Sequence, residues 1–175
     1  GLDEDAVCTI TNTEILDLIV RKTAETSYKR TYNWTIEKLV DDFIVDLFVG
    51  DSQTVNYDIN VVKSAPVDTE HAVTGTITIT NPNTDDALDA TITSVADILD
   101  ASGVASINCG VSFPYVLQDE AQLVCSYTKS GAMTTDTLNT ATVATTGLVP
   151  GGEGTAPVAF GAPTTVVDDS ININD

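Results

Sequence analysis

Three cysteines, one histidine and 26 carboxylates are the side chains from which this 175-residue chain could build chemistry. Cys109 and Cys125 each close or sit within a strand-like segment. Between them Phe113-Pro114-Tyr115 and the acidic pair Asp119-Glu120 let the chain reverse. In an exported chain this predicts a disulfide, worth about 3 kcal/mol through restriction of the unfolded ensemble. In a reducing compartment the same residues read as two buried thiols. Cys8 is left over, either as a free thiol or as the partner of a cysteine in an adjacent module. No Cys-x-x-Cys spacing exists and His71 stands alone in a polar turn expected to be solvent-exposed, which argues against a zinc site.

The carboxylates gather at Asp41, Asp42 and Asp46, at Asp85, Asp86 and Asp89, and at Asp168 and Asp169. Two or three such oxygens in a turn suit a hard cation, and calcium is the natural candidate. The best-placed set is Asp85, Asp86 and Asp89, with an Asn81 or Asn83 oxygen nearby. None of the clusters follows the twelve-residue calcium loop, so ordinary solvated turns remain the alternative, and no other cofactor is expected. Asn33-Trp34-Thr35 has the form of an N-glycosylation acceptor. Trp34 alternates with Tyr32 and Ile36 and reads as a core anchor, which turns Asn33 outward. His71 has no nucleophile-elbow companion and residues 147–154 carry no phosphate-loop Lys-Ser/Thr, so the chain is not expected to be an enzyme.

The elements that would hold these residues are strands. Val73, Gly75, Ile77 and Ile79 alternate with Thr74, Thr76, Thr78 and Thr80, the period-two pattern of a half-buried strand. Further strands are expected at 16–22, 32–39, 43–49, 54–62, 90–95, 104–109, 122–128, 138–144, 155–160 and 164–167. With Gly, Asp, Asn and Pro turns between them and almost no helical periodicity, they predict an all-β antiparallel sandwich over residues 15–160. Residues 1–14 and 161–175 fall outside that body. Both contain strand-like positions, Val7 and Ile10 in the first and Val166, Ile171 and Ile173 in the second, expected to pair with a neighbouring module. A chain opening on Gly1 reads as a mature or excised piece. The net charge of -19 opposes a nucleic-acid backbone, and no stretch is long and apolar enough for a membrane span.

The runs Lys22-Thr23-Ala24, Ser27-Tyr28 and Tyr32-Asn33-Trp34-Thr35-Ile36, with Tyr57, Val61 and Lys63, resemble a repeat of large secreted bacterial surface proteins. Residues 76–82, 90–97 and Asn139-Thr140-Ala141-Thr142-Val143 are similar to the immunoglobulin-like repeat of bacterial and archaeal cell-wall and filament proteins. Residues 8–13 resemble the closing strand of a prealbumin-like, collagen-adhesin type domain. The resemblance implies that the sandwich is immunoglobulin-like and that the chain is an extracellular module or protomer of a stalk, adhesin or filament, partnered by adjacent repeats or further copies of itself. It also implies an isopeptide bond between Lys22 of an early strand and Asn139 of a late one, assisted by a buried acid, Asp58 or Asp97. The alternative is a binding module holding a glycan or host protein in the loops around Tyr115 and Asp119 or around residues 85–89.

Overall fold

The computed structural model describes residues 14–41 and 44–174. Among them the chain forms thirteen strands: β1 (Ile19–Lys22), β2 (Glu25–Thr31), β3 (Trp34–Val40), β4 (Tyr57–Lys63), β5 (Val67–Thr80), β6 (Ala90–Leu99), β7 (Gly103–Val104), β8 (Ser106–Asn108), β9 (Tyr115–Leu117), β10 (Gln122–Ser130), β11 (Leu138–Thr146), β12 (Gly152–Pro157) and β13 (Thr165–Val167). The helical content of these residues is one 3-10 turn, Asp86–Leu88. The fold is all-β and the strands form three sheets, mainly antiparallel, with β13 joining β2 in parallel.

The chain divides into two compact units. The first contains the residues through Thr26 together with Ala72–Phe160, and the second contains Ser27–His71 with Gly161–Asp175. The expected 15–160 body is thus interrupted, because residues 27–71 group with the C-terminal segment.

In the first unit, residues 77–80 of β5 pair with β1 on one side and β10 on the other, and β10 pairs onward with β8. A second sheet runs β12-β11-β6-β7, with β9 also on β6. Alternate residues of both sheets supply one apolar cluster that includes Leu18, Val20, Val73, Ile77, Ile79, Ile92, Leu99, Leu123, Tyr127, Ala141 and Val143. β1 touches both sheets. It is laddered to β5, while the Leu18 N–H donates to the Pro150 carbonyl at 3.2 Å and the Val20 carbonyl lies where a Cβ on Gly154 would stand. Only glycine permits that approach of β12.

In the second unit β3 and β4 form a two-stranded ribbon running from Trp34 opposite Lys63 to Val40 opposite Tyr57. β13 lies beside residues 29–31 of β2. The Tyr28 hydroxyl donates to the Gly161 carbonyl at 3.2 Å, and Thr164 returns its N–H and hydroxyl to the Tyr28 carbonyl. Arg30 grips Asp68 with two hydrogen bonds of 2.7 Å. The strand expected at 43–49 is not formed over 44–49, which is loop and turn with Ile44, Phe48 and Val49 exposed. Apolar content without a paired neighbour does not make a strand.

Candidate functional site

Lys22, Asp97 and Asn139 converge inside the first unit. Lys22 ends β1 on the face that already carries Leu18 and Val20. Asn139 opens the inward series Asn139, Ala141, Val143 of β11, and Asp97 shares the inner face of β6 with Leu99. Because Asn139 pairs with Leu99 and Ala141 with Asp97, the amide and the carboxylate are diagonal neighbours on one sheet face. Lys22 reaches them from the other sheet. Its Nζ stands 2.6 Å from Asp97 Oδ1, both side chains being fully excluded from solvent. Asn139 Nδ2 donates to Asp97 Oδ2 at 3.2 Å. Asp58, the other acid considered, is exposed on β4.

Tyr127 forms a wall of this site. Lys22 Nζ lies 3.2 Å from the centroid of its ring, and its hydroxyl donates to the Thr23 carbonyl at 2.6 Å. That bond ties the residue after Lys22 to β10. Gly75 makes room for it, since a Cβ there would overlap the Thr23 carbonyl oxygen and come within 2.8 Å of the Tyr127 ring. Burial pushes the Tyr127 phenol up to about 12, with a hydrogen bond to Asn139 acting in the opposite sense. Burial also lowers the Lys22 pKa, against the opposing pull of Asp97. The desolvated amine is therefore shifted toward the neutral, nucleophilic form. Tyr127 and Gly75 were missed in the sequence. The signal was there, because Tyr127 has the inward parity of Leu123 and Cys125.

The polar accounting is unusual. Among the described residues, the buried side-chain nitrogen and oxygen atoms lacking a hydrogen bond are Lys22 Nζ, Asp97 Oδ1 and Asn139 Oδ1. The short Lys22 to Asp97 contact has the distance of an ion pair without hydrogen-bond angles. Orphaned buried polar groups cost roughly 1–3 kcal/mol each, more when charged. Amide formation between Lys22 and Asn139 would relieve all three. The new Nζ–H can donate to Asp97 Oδ1, and a protonated Oδ2 can donate to the Asn139 carbonyl oxygen. Such a reaction would balance within the triad. One proton would pass from Nζ to Asp97, the neutral amine would attack Asn139 Cγ, its second proton would pass to Nδ2 as the Cγ–Nδ2 bond breaks, and neutral ammonia would leave with Asp97 still protonated.

The other expected site residues are dispersed. Cys109 and Cys125 form a disulfide that joins β10 to the segment after β8 across a sequence separation of 16. Asp85 accepts from the Ala87 N–H as cap of the 3-10 turn, and Asp89 accepts from the Asp119 N–H. No group of three metal-ligating side chains occurs among the described residues. His71 is not in a turn. It lies in β5, half-buried, stacked on Tyr28 at 5.1 Å. Asn33 is exposed between β2 and β3. Val166 lies in β13 and pairs within its own chain, Ile171 and Ile173 lie in no strand, and Val7, Ile10 and Cys8 fall outside the described residues. No family model, curated protein or solved structure matches the chain.

Proposed function

We propose that this protein is an extracellular structural module, a repeat or protomer of a cell-surface stalk, adhesin or filament, whose first unit is an immunoglobulin-like sandwich closed by a Lys22–Asn139 isopeptide bond. The observation that carries the reading is the buried Lys22, Asp97 and Asn139 cluster, in which every orphaned polar atom would be satisfied by one amide. Such a bond joins an early strand of the unit to a late one and limits extension under load. A disulfide in the same unit suits an oxidising setting. End-to-end association proceeds by strand pairing. The β3–β4 ribbon supports this, since each of its strands has one neighbour and Ile36, Leu39, Tyr57, Ile59 and Val62 are exposed on it.

Intact mass under denaturing, reducing conditions tests the bond. The cross-linked chain weighs less than its sequence by one ammonia, and tandem mass spectrometry yields a branched peptide containing Lys22 and Asn139. A full sequence mass with both residues on linear peptides rules the bond out.

A further inference from the structure

We infer that Asn33 carries an N-linked oligosaccharide. The acceptor sequence Asn33-Trp34-Thr35 lies where β2 gives way to β3, and its backbone is held from both directions by one residue. The Asn33 N–H donates to Ser64 Oγ at 3.0 Å, and the Ser64 N–H donates to the Asn33 carbonyl at 2.8 Å. The side-chain amide takes no part in this clamp. It is exposed and has no hydrogen-bond partner among the described residues.

Trp34 sets the direction of the acceptor. Its indole N–H donates to the Asp168 carbonyl at 2.7 Å and the Lys63 ammonium stands 5.4 Å from its ring. With Trp34 held on that face, Asn33 and Thr35 turn to the other, the one shared by Leu39 and, across the ribbon, by Val62 and Asn60. All of these are exposed. The Thr35 hydroxyl, which a glycosyltransferase reads two residues beyond the acceptor, is therefore open on the same side as the amide. Leu39 and Val62, 63% and 51% exposed, offer apolar ground for the C–H faces of a sugar.

The donor required is an oligosaccharide linked to a lipid through pyrophosphate. Asn33 Nδ2 bonds to the anomeric carbon, the carbon–oxygen bond to pyrophosphate breaks, the lipid pyrophosphate leaves with the electron pair, and the amide proton passes to a base of the transferase. The test has two arms. In the first, the full chain is secreted from an N-glycosylating eukaryotic host and its glycopeptides are mapped. In the second, purified unglycosylated chain is offered to an oligosaccharyltransferase with its lipid-linked donor. We expect one glycan, on the Asn33 peptide, lost in Asn33→Gln and Thr35→Ala and kept in Thr35→Ser. A bare Asn33 peptide from the wild-type chain in both arms, or a glycan that persists in Asn33→Gln, overturns the assignment. Neither result touches the Lys22–Asn139 bond.

Discussion

The two units are built on different physics. The first has a continuous apolar core fed by two sheets, a disulfide, and a buried polar triad. In the second, Tyr28 is the one buried residue among those described, and order comes from contacts at the surface. These include the Arg30–Asp68, Lys29–Glu70 and Lys63–Asp169 pairs, Lys63 over Tyr32 at 3.8 Å, and hydrogen bonds from Tyr28, Trp34 and Thr164 to backbone. Hydrophobic burial is insensitive to ionic strength, whereas exposed ion pairs are screened within about 8–10 Å at ordinary salt. The same chain therefore holds one region that should resist salt and stretching and another that should yield to both.

The sharpest way to break this contrast is Asn139→Ala, which should abolish the ammonia loss expected of the proposed bond. On the chain-entropy model, opening a loop that runs from residue 22 to residue 139 costs about 5 kcal/mol, read as a lower denaturant midpoint for the first unit. In single-molecule stretching the variant should gain roughly 35 nm of contour length over the wild type with the disulfide intact, at about 3.5 Å per extended residue. Equal extension of both proteins would show that no such closure exists. Asp97→Ala should also keep its ammonia and fall further in stability, by about 3–5 kcal/mol, because the buried Lys22 loses its counter-charge.

Next in size is the disulfide. Reducing Cys109–Cys125 should remove about 3 kcal/mol from the first unit while leaving amide exchange in β2, β3 and β4 unchanged. Loss of protection in both units would mean that they unfold as one.

The pH response of the Asn139→Ala variant sharpens the account of the triad. Burial lowers the Lys22 pKa, so the unfolded chain binds more protons than the folded one between the depressed value and the ordinary 10.5. Stability must therefore rise with pH across that window. Tyr127 works in the opposite sense. Its folded value of about 12 exceeds the ordinary 10, so its contribution is complete below 10 and is lost as pH climbs through 12. Denaturation midpoints from pH 7 to 12 should rise and then fall, and a flat profile would show that neither group is desolvated.

The smallest effect belongs to the second unit. Arg30→Ala should loosen exchange protection in β2, and added salt should reproduce much of that loss in the wild type without altering the first unit. Arg30 holds the Asp68 pKa below the ordinary carboxylate value of 3.8, so the pair's contribution is present above that value and disappears as pH falls through the depressed one.

The difference between the units also explains what could be read from the sequence. Residues 73–80 were legible because their alternation records a buried face, and the same parity places Lys22 behind Val20 and Asn139 before Ala141. β2 was not legible, since Glu25–Thr31 buries only Tyr28 and its other positions are polar or charged. The acidic opening of β5, Val67 to Glu70, was lost for the same reason. Asp97 was one of two acids and parity did not choose it. Counted from Ala90 and Ile92 it falls on the outer face, but the register between β6 and β11 shifts between Ala144 and Thr145, and beyond that bulge the inward set becomes Asp97 and Leu99. The Lys22–Asn139 pairing was implied by resemblance, and spacing alone does not contain it.

Residues 27–71 leave the first unit after β1 and return to it in β5, so they lie between Lys22 and Asn139 along the chain. With the amide in place, a protease that cuts the peptide bond once in an exposed loop such as 44–56 opens a ring and releases nothing. The nicked polypeptide would stay a single covalent molecule on a denaturing gel, heavier by one water, its two pieces still joined through residues 22 and 139.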